Sequence, residues 1–359
     1  MLRSFFLSIA VALIGGTSFA ADMPHYTTLV DCVRKGTPQQ LQLMLQKTAA
    51  FPVEQRTGSA PYAYTPLFEA VQKNNAAMVR MLLAAGADAN AFRGYGPVLS
   101  HALIHKASPQ IVQMLLDAGA EVNPCGLYGM RATYYAVNNP AVLKLLLDAG
   151  ASPSEPCRSN GVTPLMQAVS QLNIESVKLL LKYGADLHAR DANGGTVLFY
   201  IPWTTGRALQ MAQCLIEHGA DVNSRDNKGR TPLLASPGIG QSLVEAPSAT
   251  SELLDLYLSA GASLHAQDAN GCNALEYTLS LPYRSPRMEK ILTERGLTAR
   301  SDYELLAAVK ATTPERAKAL LAQGANPNAR RPQDAATALD HCQGTLTDPN
   351  PGADAMIEL

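Results

Sequence analysis

Apolar residues recur along this chain at helical spacing, in short bursts rather than long runs. Around residues 65–86, Leu67 and Ala70 stand three apart on one face of a first helix. Met78, Val79, Met81, Leu82 and Leu83 then form the apolar stripe of a second. The small Ala70 lets the two helices approach closely. Each second helix runs into a Gly-Ala pair: Gly86-Ala87, Gly119-Ala120, Gly150-Ala151, Gly184-Ala185, Gly219-Ala220, Gly261-Ala262 and Gly324-Ala325, with a degenerate copy at Gly296-Leu297. Successive glycines lie 33, 31, 34, 35, 42, 35 and 28 residues apart, a mean of 34. A period of that length marks a repeat architecture. The glycine ends the helix in a left-handed cap.

A second landmark keeps phase with the first. Thr65-Pro66-Leu67, Thr163-Pro164-Leu165 and Thr231-Pro232-Leu233 match fully, and Thr196-Val197-Leu198 matches in part. Threonine caps the free N–H groups of a first helix, and proline suits the next position. Turns of the form Asp-x-x-Gly precede several of these starts: Asp191–Gly194, Asp226–Gly229 and Asp268–Gly271. Asp bonds nearby backbone there, and Gly tolerates positive φ. One helix pair cannot bury its own apolar face, so the units must stack.

Turn, Thr-Pro-Leu, two helices and Gly-Ala-Asp-x-Asn in fixed register resemble the ankyrin repeat over roughly residues 28–345. The resemblance implies an all-α solenoid of about nine to ten stacked helix-turn-helix units with short β-hairpin turns. Residues 28–50 form a degenerate first unit, 60–330 the regular units and 331–359 a degenerate last unit. The family histidine after Thr-Pro-Leu is replaced by Phe68, Met166 and Leu234. That removes a polar link between repeats and shifts the load to apolar packing. Arg131-Ala132-Thr133 stands where Thr-Pro-Leu belongs, which predicts a poorly capped helix. The period breaks at residues 50–63 and at Ser236–Ser251. The second break reads as a loop between two helices, either decorating a functional face or simply tolerated at the surface.

Apolar residues at 47% supply a real core, and a formal charge of −1 leaves no basic excess for a phosphate backbone. Nucleic acid is therefore not an expected partner. Residues 1–20 read as a signal peptide: Arg3, an uncharged apolar run from Ser4 to Ile14, then Ser18-Phe19-Ala20 with cleavage after Ala20. The expected mature chain, 21–359, is a soluble protein of the bacterial periplasm, with no membrane insertion after cleavage.

No nucleophile elbow, dinucleotide fingerprint or P-loop occurs. His101 and His105 are four apart, but Ala102 stands where a zinc protease needs Glu, so both read as helix-surface or packed histidines. His188 and His265 occupy the Asn slot of the turn. Cys32, Cys125, Cys157, Cys214, Cys272 and Cys342 match no zinc spacing. Cys32 and Cys342 fall in the small-residue slot of a first helix. Cys125 and Cys157 lie in adjacent hairpins, where an oxidising compartment permits a bridge, while stack spacing opposes one unless the loops lean together. The chain is expected to be no enzyme, and to need no metal and no small-molecule cofactor.

By resemblance, such stacks bind proteins through hairpin tips and the concave face. The narrower alternative is an immunity protein that neutralises a secreted toxic effector, and an enzyme is the remote one. Tyr62, Tyr64, Arg93, Tyr95 and Tyr128 gather at three consecutive tips, with Trp203 near the end of a first helix. Tyr, Trp and Arg are the types enriched in binding hot spots. Packing of these rings along the stack is the alternative role.

Overall fold

The computed structural model describes residues 28–46, 53–54, 65–93, 96–123, 131–157, 159–202, 206–235, 247–280, 286–310 and 313–328. The chain divides into two compact units between Leu127 and Tyr128. The first holds helix pairs α1 (Leu29–Lys35) and α2 (Pro38–Leu45), α3 (Pro66–Gln72) and α4 (Ala76–Ala84), and α5 (Val98–Ile104) and α6 (Pro109–Asp117). Between the last two pairs, β1 (Phe92–Arg93) and β2 (Gly96–Pro97) make an antiparallel hairpin in which Phe92 pairs with Pro97 and Arg93 with Gly96.

The second unit holds α7 (Ala132–Ala136) and α8 (Pro140–Asp148), then α9 (Pro164–Ser170) and α10 (Ile174–Lys182). A 3-10 helix (Val197–Tyr200) follows with α11 (Gly206–Glu217), then α12 (Pro232–Ala235) with α13 (Pro247–Ser259). Two further pairs are α14 (Ala274–Ser280) with α15 (Pro286–Glu294) and α16 (Ser301–Lys310) with α17 (Pro314–Ala322). The tenth unit expected at 331–359 lies outside the described residues, as does the leader at 1–20. Among the described residues no helix is long and apolar enough to cross a membrane.

Local chemistry sets these boundaries. Thr65, Thr163 and Thr231 each accept, on the hydroxyl, the backbone N–H three residues on: Phe68 at 3.4 Å, Met166 at 3.2 Å and Leu234 at 3.4 Å. Arg131 makes no side-chain cap, and the helix it starts, α7, has only 5 residues. Gly86 sits at φ +89°, with its N–H bonded to Leu83 and that of Ala87 to Leu82, each at 3.0 Å, which closes the helix end. The same left-handed stop recurs at Gly119, Gly150, Gly184, Gly219, Gly261, Gly296 and Gly324.

Three expectations are corrected. Thr196 caps nothing; its hydroxyl lies 2.8 Å from that of Ser224, and the helix it precedes is a four-residue 3-10 turn. Pro202 forces Ile201 into extended backbone (φ −73°, ψ 118°), which stops an α-helix there. The break read as a loop through Ser251 is shorter, because Pro247, with its φ preset for a first helical position, begins α13. The apolar stripe of the second helices is also narrower than read: Met81 and Leu83 are half-buried on either side of buried Leu82, and paired leucines elsewhere split in the same way. Leu82, Leu146 and Leu180 are wholly buried, whereas Leu145 and Leu179 are half-buried. Leu180 shares a face with Val177, three residues away, and Leu179 is rotated about 100° off that face.

The core is mainly apolar, and Phe68, Met166 and Leu234, in the lost histidine slot, are each 2% exposed or less. Polar links between repeats survive elsewhere. The Asn90 amide donates to Gly119 O (2.9 Å) and accepts from Glu121 N (2.7 Å). Asn223 repeats the motif on Gly261 O (2.8 Å) and Ser263 N (2.9 Å). Each side chain meets two backbone groups of the next repeat, fixing its register.

Candidate functional site

The sequence builds the hairpin tips stiff. In the second unit the Asp191 carboxylate accepts from Asn193 N and Gly195 N, both at 2.8 Å. Asp226 does the same for Lys228 N and Arg230 N at 2.9 Å, and Asp268 for Asn270 N and Cys272 N at 2.8 Å. The other carboxylate oxygen is also held. Tyr200 Oη donates to Asp191 at 2.6 Å, Tyr277 Oη to Asp268 at 2.8 Å, and Arg230 Nε to Asp226 at 2.8 Å. Burial first, and then the carboxylate that accepts their protons, push both phenols well above the usual tyrosine range.

Successive tips are tied together through backbone. Asn160 O accepts from Ala192 N at 3.0 Å, Asn193 O from Asn227 N at 2.8 Å, and Lys228 O from Ala269 N at 2.9 Å. Two arginines run beside these rungs. Arg190 donates to Gly194 O (2.8 Å) and Arg225 O (2.6 Å), and Arg225 to Gly229 O (2.6 Å) and Gln267 O (2.7 Å). Sequence reasoning missed these brackets. Their signal was an aromatic nine residues after the turn aspartate, at 191/200 and 268/277, and an Arg-Asp pair at 190/191 and 225/226.

Past the last of these tips lies a polar cleft of about 280 Å³ lined by His265, Gln267, Asn273, Glu276, Thr298, Ala299 and Arg300. Glu276 is 1% exposed; it accepts from Asn273 N (3.0 Å), Arg300 N (3.0 Å) and Arg300 Nε (2.8 Å). Arg300 Nη2 also donates to Cys272 Sγ at 3.3 Å, and the thiol shares a 3.0 Å hydrogen bond with Tyr303 Oη. Burial dominates and raises the Cys272 pKa, so the thiol stays protonated. Burial likewise raises Cys214 and pushes Cys32 to about 11. A nucleophilic cysteine needs the opposite shift. Among the described residues no three His, Cys, Asp or Glu side chains cluster to hold a metal.

Of the tip residues singled out from sequence, Arg93 lies in β1, its backbone paired with Gly96. Tyr62, Tyr64, Tyr95, Tyr128 and Trp203 lie outside the described residues, as do Cys125 and Cys342. Cys157, the other half of the suggested bridge, is buried with Sγ 3.1 Å from Ser159 Oγ. Phe92, next to Arg93 on the hairpin, is 61% exposed, an aromatic tip residue that the sequence survey passed over. His101 is buried, with its ring edge-on to Phe68 at 4.8 Å and stacked on His105 at 5.9 Å, so it is a packing residue.

With capped helix pairs, left-handed glycine stops and bridged hairpins in place, the class is clear: the fold is an ankyrin-repeat solenoid. A family model of three ankyrin repeats matches residues 99–191, and a single-repeat model matches 63–92. The chain is 33% identical over 141 residues to the B-cell lymphoma 3 protein homolog of Mus musculus, covering 37% of this chain and 31% of that one. It is 54% identical over 39 residues to protein phosphatase 1 regulatory subunit 27 of Mus musculus and of Homo sapiens, covering 11% of this chain and 25% of each. The chain thus spans under a third of the length of the curated relatives it matches. Among solved structures it resembles the ankyrin repeat domain of Bcl-3, with TM-score 0.52, 25% identity, and 65% of this chain and 100% of that one covered. It also resembles the human ASB11 ankyrin repeat domain, with TM-score 0.54, 23% identity, and 66% and 100% covered.

Proposed function

We propose that the chain is a non-enzymatic scaffold that binds a protein partner on its hairpin tips and the exposed positions of its first helices. The observation that carries this is Phe92, which stays 61% exposed on a hairpin where it stands opposite Pro97. That ring buries little in the folded chain, and a partner gains a large apolar area by covering it. Rigid tips strengthen the reading, because bridged hairpins lose little entropy on binding. The protonated, buried thiols of Cys32, Cys214 and Cys272 are poor nucleophiles, which fits a binding role. The same proposal places the mature chain, from Ala21 on, in the periplasm, and effector neutralisation is its narrower form.

Pull-down from the periplasmic fraction with the full mature chain, read by mass spectrometry, identifies the partner. A secreted toxin in that fraction supports the narrower form, and N-terminal sequencing that finds Ala21 supports export. Calorimetry then compares the parent with Phe92→Ala and with Tyr64→Ala/Tyr95→Ala. Each variant should melt near the parent, and the double change should cost about 2–4 kcal/mol of affinity in sum. Full affinity in both, with an unchanged fold, sinks the tip assignment.

A further inference from the structure

The ladder of tips in the second unit stops one rung short. At Gly161, Gly194 and Gly229 the next hairpin lies so close that an added Cβ would stand 2.9, 3.0 and 2.8 Å from the backbone nitrogens of Ala192, Asn227 and Ala269. Those are the nitrogens that bond Asn160, Asn193 and Lys228. At Gly271, the equivalent position of the fourth tip, an added Cβ meets nothing within 4 Å among the described residues. Chain length explains the difference. The first residue of α14, Ala274, follows Gly261 by 13 positions, whereas Ser301, the first of α16, follows Gly296 by five. Five positions reach from helix end to helix start but leave no chain for a hairpin. The 280 Å³ cleft beside His265 and Gln267 lies on this open side.

The earlier rungs state what such an edge takes. Each is covered by a tight Asp-x-x-Gly turn of the next hairpin, whose second residue, Ala192, Asn227 or Ala269, donates an N–H to the carbonyl before the tip glycine. Asn270 holds that carbonyl on the fourth tip and is exposed. Gln267, also exposed, occupies the slot of Arg190 and Arg225, whose guanidinium groups donate to a carbonyl of the next hairpin. Arg300, its side chain 51% exposed, adds positive charge, while the one carboxylate lining the cleft, Glu276, is 2% exposed and already paired with it.

We propose that this open edge docks a tight turn of a partner protein, which supplies the missing rung as the turns at Ala192, Asn227 and Ala269 supply the earlier ones. The turn donates a backbone N–H to the Asn270 carbonyl and places a carbonyl for the Gln267 amide. It carries a small residue over Gly271 and an acidic side chain toward Arg300. This is turn-on-turn stacking, with affinity from main-chain bonds of the kind the earlier rungs make. It rests on the protein-binding reading above and assigns that reading a second surface.

The probe is a cyclised synthetic peptide copying residues 263–273 with serine in place of Cys272, the segment that already covers the edge at Gly229. Titrated into the full chain, it should saturably shift the amide resonances of Gln267, Asn270 and Gly271. Gly271→Asn should weaken it about tenfold or more, because Asn tolerates the positive φ of +74° while its side chain fills the open space. Gln267→Ala, at an exposed position, should weaken it several-fold and carries the test if Gly271→Asn fails to fold. Equal affinity in both variants, or shifts confined to other residues, overturns the proposal. So does a concentration-dependent dimer lost in Gly271→Asn, which makes a second copy the occupant. Loss of partner capture in Phe92→Ala leaves this titration standing, and a failed titration leaves the Phe92 result standing, so the two readings fail separately.

Discussion

Leu180 and Leu179 are sequence neighbours of one type, yet only Leu180 is wholly buried. Leu180→Ala should cost about 2–5 kcal/mol by chemical denaturation, and Leu179→Ala less than about 2 kcal/mol. Equal costs would mean that the helix faces are assigned wrongly. Cys32 makes a second residue-scale case. Burial lifts its thiol from 9.0 to about 11, so between those values the folded protein keeps a proton that the unfolded chain gives up. A raised folded pKa contributes stability below the unfolded value and loses it as pH rises through the folded one. Stability should therefore fall as pH climbs from about 9 towards 11. Cys32→Ala should flatten that part of the denaturation profile, and an unchanged slope would contradict the assignment.

At the scale of elements, glycines with the same backbone geometry differ in what surrounds them. Gly184 and Gly229 have φ of +82° and +75°, so Ala is strained at both. An added Cβ at Gly184 meets open space, whereas at Gly229 it comes within 2.8 Å of the Ala269 nitrogen. Gly184→Ala should cost about 1 kcal/mol, and Gly229→Ala about 1–3 kcal/mol more, since backbone must move to make room. Urea denaturation of the two variants separates helix stop from hairpin stacking. The helix starts grade in the same way. Thr163→Ala should lose about 0.5–2 kcal/mol, because its hydroxyl caps Met166 N, and a loss well below that would show the cap to be dispensable.

For the whole molecule, stability and binding are coupled by mass action. A partner at about a hundred times its Kd should add about 2.7 kcal/mol to the parent. Melting curves with and without partner measure the gain. It should shrink in Phe92→Ala at the same partner concentration, while the unliganded melting temperature holds. An equal gain in both proteins would place the partner away from Phe92. Repeats contact mainly their neighbours, so a tip substitution acts locally and leaves distant units intact.

Periodicity determined the repeat, its phase and its class, because capping, glycine stops and apolar spacing are local chemistry within some 20 residues. Thr65, Thr163, Gly86 and the Asp-x-x-Gly turns therefore do in the structure what their residue types demand. Phe92, an exposed hairpin aromatic, was not singled out by its position between the two landmarks. Where distant segments meet, only the tertiary structure decided. It left Leu180 wholly buried and Leu179 half-buried, and it tied the Asn90 and Asn223 side chains to Gly119 O and Gly261 O of the next repeat. It also left Gly271 uncovered while covering Gly161, Gly194 and Gly229. Whether a tip is covered depends on the length of chain in the following repeat. The physical reason is that a rung needs two hairpins, and no single repeat's residues state whether the second one is there.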